Sequence, residues 1–243
     1  MASADPPGAG QPSKLGWQTA TVLAIADETP RAKTFRLRLE HPVRHRAGQH
    51  YVLRLTAPDG YTASRSYSVA SAPDDRDEID LTVEWLDGGE VSSYLHEVCE
   101  VGDELEVRGP IGGYFVWRGD RPALLVGGGS GVVPLMAMLR LARASGRSDL
   151  VRLVVSVRSD DDLYYASELA GPEVTIVHSR VAPPGSPRPA GRLTVDDLRP
   201  LVVPDALALV CGSARFADAA SHLVVEAGVP VHQVKVERFG PTA

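Results

Sequence analysis

Between Trp17 and about Val116 the apolar residues fall on every second position, as in Phe35, Leu37 and Leu39 and again in Ile79, Leu81, Val83 and Trp85. A two-residue period is that of a strand with one buried face. The turn-forming clusters Ala57-Pro58-Asp59-Gly60 and Pro73-Asp74-Asp75-Arg76-Asp77 separate the runs. This half therefore predicts an antiparallel barrel or sandwich with one short helix near residues 92–98. After Trp117-Arg118-Gly119-Asp120 the pattern changes to short apolar runs, at 123–126, 150–157, 174–178, 206–210 and 231–236, that alternate with helical segments. Residues 134–144 put Leu135, Met138, Leu139 and Ala142 on one helical face, with Gly146 as a stop. Residues 213–226 have Ser213 as cap and Gly228 as terminator. Strand and helix in alternation predict a parallel sheet wrapped by helices. Three segments follow: a loose tail at 1–13, small, polar and rich in Pro and Gly; a β-rich unit at 14–118; and an α/β unit at 119–243.

With 243 residues, 44% of them apolar, the chain is long enough for one large or two modest packed domains. No apolar stretch approaches the roughly 20 residues of a membrane span, and no apolar signal region follows the N-terminus, so a cytoplasmic protein without membrane contact is expected. A formal charge of −6 argues against a nucleic-acid partner, which requires a basic face. The two cysteines, Cys99 and Cys211, lie far apart, so neither a disulfide framework nor a metal site is expected. An iron–sulfur cluster of the ferredoxin kind needs about four thiolates and exceeds what this chain holds.

In the second half, Val126-Gly127-Gly128-Gly129-Ser130-Gly131-Val132-Val133-Pro134 is a strand running through glycines into a helix. Such a loop brings backbone amides to a pyrophosphate at a helix N-terminus, or it serves only as a tight strand-to-helix turn. Val132 breaks the usual G-x-G-x-x-G spacing. Arginines end the following runs, at Arg158, at Ser179-Arg180 and at Gly191-Arg192. Three guanidiniums near strand ends suit the 2′-phosphate of NADP, although Asp160, Asp161 and Asp162 weaken that field and surface arginines are common. In the first half, Ser64-Arg65-Ser66-Tyr67-Ser68 sets Arg65 with Tyr67 on one strand face and Ser66 with Ser68 on the other. That pairing suits a ligand that carries both a phosphate and a flat ring.

The order Arg65-Ser66-Tyr67-Ser68, Gly89-Glu90-Val91-Ser92-Ser93-Tyr94-Leu95, 127–134, Cys211-Gly212-Ser213 and Glu237-Arg238-Phe239-Gly240 resembles the ferredoxin–NADP reductase family over nearly the whole chain after the tail. The resemblance implies an N-terminal six-stranded flavin-binding β-barrel and a Rossmann-like NAD(P)-binding domain with a parallel sheet. It implies that Arg65 binds a flavin phosphate, Ser66 and Tyr67 contact the flavin with Tyr67 packed on the isoalloxazine, and Ser68 hydrogen-bonds near N5. Gly89, Val91 and Ser92 would lie on the flavin pyrophosphate, Ser92 reading equally as a helix N-cap, and Phe239 over the ring. Gly128, Gly129, Gly131, Arg158, Ser179, Arg180, Arg192, Cys211 and Gly212 would meet the nicotinamide dinucleotide. Ser68, Cys211 and Glu237 would tune the hydride encounter, although a buried Cys211 also reads as plain core. The implied cofactors are FAD and NADPH, with NADH as alternative donor. The implied partner is a separate ferredoxin or other redox acceptor docking transiently on a monomer. Two rival readings are a flavin or quinone reductase acting on small molecules and a non-catalytic regulatory module of the same fold.

Overall fold

The computed structural model describes residues 16–240; the segment read as a tail lies outside them. Six strands, β1 (Gln18–Thr29), β2 (Ala32–Leu39), β3 (His50–Thr56), β4 (Thr62–Ser68), β5 (Glu78–Glu84) and β6 (Glu104–Ile111), form an antiparallel sheet in the order β4-β3-β6-β1-β2-β5. Its two outer strands meet through an antiparallel bridge between Val69 and Leu81, reinforced by the Ala70 N–H donating to the Asp80 carbonyl at 2.8 Å, so the sheet curls into a barrel. The two-residue period fills its interior with Phe35, Leu37, Leu39, Ile79, Leu81 and Val83. Trp85, grouped with β5 by its spacing, lies one residue beyond that strand, under the guanidinium of Arg31 at 4.7 Å.

Helix α1 (Glu90–Glu97) caps the barrel between β5 and β6 through Val91 and Leu95. It starts two residues earlier than the sequence pattern predicts, with Gly89 as N-cap. Ser92 is therefore not the cap but sits inside the first turn, where its hydroxyl donates to the Gly89 carbonyl at 3.1 Å and accepts from the Leu86 N–H at 3.3 Å.

The second sheet is wholly parallel: β7 (Ala123–Gly128), β8 (Val151–Val157), β9 (Val174–His178), β10 (Leu207–Ser213) and β11 (Val234–Phe239), in the order β11-β10-β7-β8-β9. Helix α2 (Val132–Ala144) follows β7; α3 (Val195–Leu198) and α4 (Ala214–Glu226) flank β10. Ser213 caps α4 by accepting from the Phe216 N–H, and Gly146 and Gly228 follow α2 and α4 in the left-handed conformation. The last strand begins at Val234 rather than 231, because Val231–Gln233 forms a tight turn after Pro230 that leaves Val231 on the surface.

Every residue of α2 from Val132 to Leu139 is buried, whereas α4 buries one stripe, Ala217, Ala220 and Val224. The reason is position: α2 lies in a core that also contains Ala32, Ala47 and Ala70 of the barrel unit and Phe115 and Trp117 of the connection. A helix apolar on all sides is one packed on all sides. No helix among the described residues is long and apolar enough to cross a membrane.

Candidate active site

In a parallel sheet of this order the connections leave in opposite directions on either side of β7 and β10, and a crevice opens at the carboxyl ends of those strands. A cavity of about 420 Å³ occurs there, within the range of a nucleotide site. Its floor and one wall come from the parallel sheet: Gly128, Gly129 and Ser130 after β7, Ser156 and Arg158 at β8, Asp161, Asp162 and Tyr164 beyond it, Ser179 after β9, and Ser213 and Phe216 where β10 enters α4. The opposite wall comes from the barrel, through Thr29, Pro30 and Arg31 of the β1–β2 turn and Glu84 of β5.

The glycines have separate reasons. A Cβ on Gly131 would stand 2.2 Å from the Cys211 carbonyl oxygen, a backbone atom unable to yield, and one on Gly128 would stand 2.6 Å from the Phe216 ring. Gly129 has φ +55° and open space where a side chain would go, so its backbone is accessible from the cleft. This cradle, with Arg158 beside it, fits the pyrophosphate and ribose of a dinucleotide. Of the three arginines read from the sequence only Arg158 lines the cleft, with its guanidinium 3.6 Å from Asp162. Arg180 and Arg192 are exposed outside the lining. Backbone bonds hold their segments close: the Arg180 N–H donates to the Arg158 carbonyl at 3.1 Å, and the Gly191 N–H donates to that of His178 at 2.9 Å.

Cys211 and Glu237 are register partners on β10 and β11. The thiol is fully buried, and burial together with the Glu237 charge pushes its pKa well up, so it is a neutral group. Glu237 is half-buried, its Oε2 has no hydrogen-bond partner among the described residues, and burial raises its carboxyl to about 7. Phe239, at the end of β11, packs on the shared core.

On the barrel side, β4 pairs with β3 so that Tyr67 faces Tyr51, Arg65 faces Leu53 and Ser68 faces His50. Arg65 is exposed, and among the described residues no carboxylate pairs with it; its guanidinium donates only to the Ser64 carbonyl, at 2.7 Å. Tyr67 is partly buried against the barrel core, with its hydroxyl pKa pushed up by burial, while Ser66 is exposed and Ser68 buried. The far end of β4 reaches α1 through the Tyr61 hydroxyl, which donates to Glu90 at 3.0 Å. An unpaired arginine, a half-covered ring and the free first-turn amides of α1 fit a flavin nucleotide. His50, half-buried beside Ser68 with its pKa lowered by burial, is a neighbour that no sequence motif marked.

Comparison with known proteins agrees with this architecture. Residues 20–116 match the model of the oxidoreductase FAD-binding domain and residues 125–222 that of the oxidoreductase NAD-binding domain. Over 233 residues, 91% of this chain and 69% of the relative, the sequence is 30% identical to the ferredoxin–NAD(P)+ reductase component of the naphthalene 1,2-dioxygenase/salicylate 5-hydroxylase systems of a Ralstonia species. The chain belongs to the ferredoxin–NAD(P)+ reductase family. Among solved structures, the FAD/NAD-binding domain of nitric oxide dioxygenase from Vibrio cholerae superposes with a TM-score of 0.81 at 23% identity, over 92% of this chain and 99% of that one. A ferredoxin–NADP+ reductase from Neisseria gonorrhoeae with bound FAD and NADP gives 0.77 at 21% identity, over 91% and 98%. At these identities the two structures speak for the fold alone. Membership of the reductase family makes the chain an oxidoreductase with FAD- and NAD-binding domains.

Proposed function

We propose that this reductase takes electrons from NADPH, with NADH as the alternative donor, and passes them through FAD to a separate acceptor protein such as a ferredoxin. One observation carries the reading: a single cleft has one wall from the nucleotide-binding sheet and the other from the barrel. A ligand lying in it spans both units. FAD, when bound, supplies the exchange between two-electron and one-electron chemistry that no side chain offers.

The chain's own residues bind, orient and exclude water. Arg65 and the α1 amides hold the flavin phosphates; Ser66, Tyr67 and Ser68 orient the ring; Phe239 and the apolar core around Cys211 keep water away. Gly128, Gly129 and Gly131 admit the dinucleotide, with Ser179 and Gly212 beside it. Arg158 meets a 2′-phosphate, with Arg180 and Arg192 swinging in from outside the cleft. Glu237, with a pKa near neutrality, holds or gives up a proton beside the nicotinamide. A monomeric, cytoplasmic protein with a transiently docked acceptor belongs to the same reading, as two buried cysteines provide no cluster of its own.

The test is the visible spectrum of the purified protein, followed by parallel anaerobic titrations with NADPH and NADH. A yellow protein bleached by either donor is expected, and Arg65→Ala is expected to lose most of its FAD on dialysis. A colourless protein that cannot be reconstituted would overturn the reading in favour of a non-catalytic module. Stimulation of cytochrome c reduction by added ferredoxin separates a protein acceptor from a small-molecule one.

A further inference from the structure

Both walls of the cleft are tied together at their base by four side chains that no motif singled out. The Tyr165 N–H donates to Glu28 Oε2 at 2.9 Å, and the Thr34 hydroxyl donates to Glu28 Oε1 at 2.7 Å. The Thr34 and Thr82 hydroxyls share a bond of 2.8 Å, and the Thr82 and Tyr165 hydroxyls share the next. Since Thr34 gives its only proton to the carboxylate, the sense of the others follows: Tyr165 donates to Thr82, Thr82 to Thr34 and Thr34 to Glu28. The ring closes across the two units at Tyr165, whose N–H and whose hydroxyl chain both end on the Glu28 carboxylate, and the three hydroxyl bonds, aligned in one direction, strengthen one another.

Three of the four lie close in sequence to a cleft residue. Glu28 precedes Thr29, Thr82 lies two residues before Glu84 on β5, and Tyr165 follows Tyr164; Thr29, Glu84 and Tyr164 all line the cavity. Tyr165 is 3% exposed and has φ +56°, a left-handed backbone that costs a non-glycine residue about 1 kcal/mol or more and persists only where its surroundings hold it. A third tie comes from α2, the helix that the glycine loop enters. Arg140 lies over the Tyr165 ring at 4.9 Å, pairs with Glu168, and donates to the Ala70 carbonyl at 2.8 Å, two residues beyond Ser68.

We propose that Tyr165 is a positioning residue of the dinucleotide site, holding the barrel wall and the nucleotide wall at a fixed separation so that the adenosine half of the dinucleotide enters a preformed cleft. This inference rests on the function proposed above. A ligand that meets a preset cleft loses less of its binding energy to ordering the protein, so the ring is read in affinity rather than in folding.

The test is calorimetric titration of the FAD-loaded protein with NADP+ and with NAD+. Tyr165→Phe and the isosteric Thr82→Val each raise the Kd of the better-bound dinucleotide about fivefold to tenfold, the scale of one well-aligned hydrogen bond, with FAD content unchanged. The double variant is no worse than Thr82→Val alone, because Thr82→Val already removes the bond that Tyr165→Phe removes, and Thr82→Ser keeps the wild-type Kd. Should Tyr165→Phe lose FAD or fail to fold, Thr82→Val decides alone. Wild-type affinity in Thr82→Val, with only a lowered Tm, would make the ring merely structural and overturn the inference while leaving the proposed function standing. A wild-type protein that binds neither dinucleotide overturns both.

Discussion

Glu237 shows how one residue ties stability to chemistry. Its folded pKa of about 7 stands above the usual 4.5 because burial disfavours the carboxylate. Between those two values the folded chain keeps a proton that the unfolded chain releases, so stability falls as pH rises through the window. Below pH 4.5 both states are protonated and the penalty vanishes; above 7 it is complete. Glu237→Gln is therefore expected to be more stable than wild type at pH 8, by about 1–2 kcal/mol once solvent screening at the partly exposed side is allowed for, and equal to it near pH 4. Urea unfolding at the two values checks this, and an equal gap at both would contradict it. A buried carboxyl that costs stability above pH 7 is what the role proposed for Glu237 beside the nicotinamide calls for.

At the scale of elements, the loop leading into α1 depends on a serine that acts from inside the helix. Ser92→Ala removes the acceptor of the Leu86 N–H and is expected to cost about 1 kcal/mol, roughly 2–4 °C in Tm for a chain of this size. It is also expected to speed FAD release, followed by the rise in flavin fluorescence. Period-two and period-3.6 patterns were sufficient to find the strands and the long helices, and Ser213, Gly146 and Gly228 mark their ends as polar caps and left-handed stops do. The start of α1 was hidden because Gly89 offers no capping side chain, so the nearby serine attracted the assignment. Val231 was misread for a related reason: apolar residues in a turn after proline look like the beginning of a strand, and only the register with Ala208 at Val234 shows where pairing starts.

For the whole molecule, the two units share one core through α2, Trp117 and the barrel alanines, and Arg140 and Tyr165 add polar ties across the same interface. Differential scanning calorimetry is expected to show one transition; two resolved ones would mean that the interface is weaker than its packing implies. The cleft was legible where its residues are local in sequence, as at Gly128, Gly129 and Ser130 and at Ser213. The barrel wall of the cleft was not, since Thr29, Pro30, Arg31 and Glu84 reach it only through the docking of one unit on the other. Arg180 and Arg192 stand outside the lining, since nearness to strand ends does not say which way a long side chain points.

The barrel closes by a short seam, from Val69–Leu81 to Ala70–Asp80, and among the described residues β4 has no strand partner on its outer side before that point. Alternate peptide groups of such a strand point outward, so Arg65 and its neighbours present main-chain donors as well as side chains. A cylinder left unzipped along the strand that carries its polar motif is a half-made ladder. Whatever molecule settles there becomes its missing rung, and the tightness of the barrel is then coupled to occupancy.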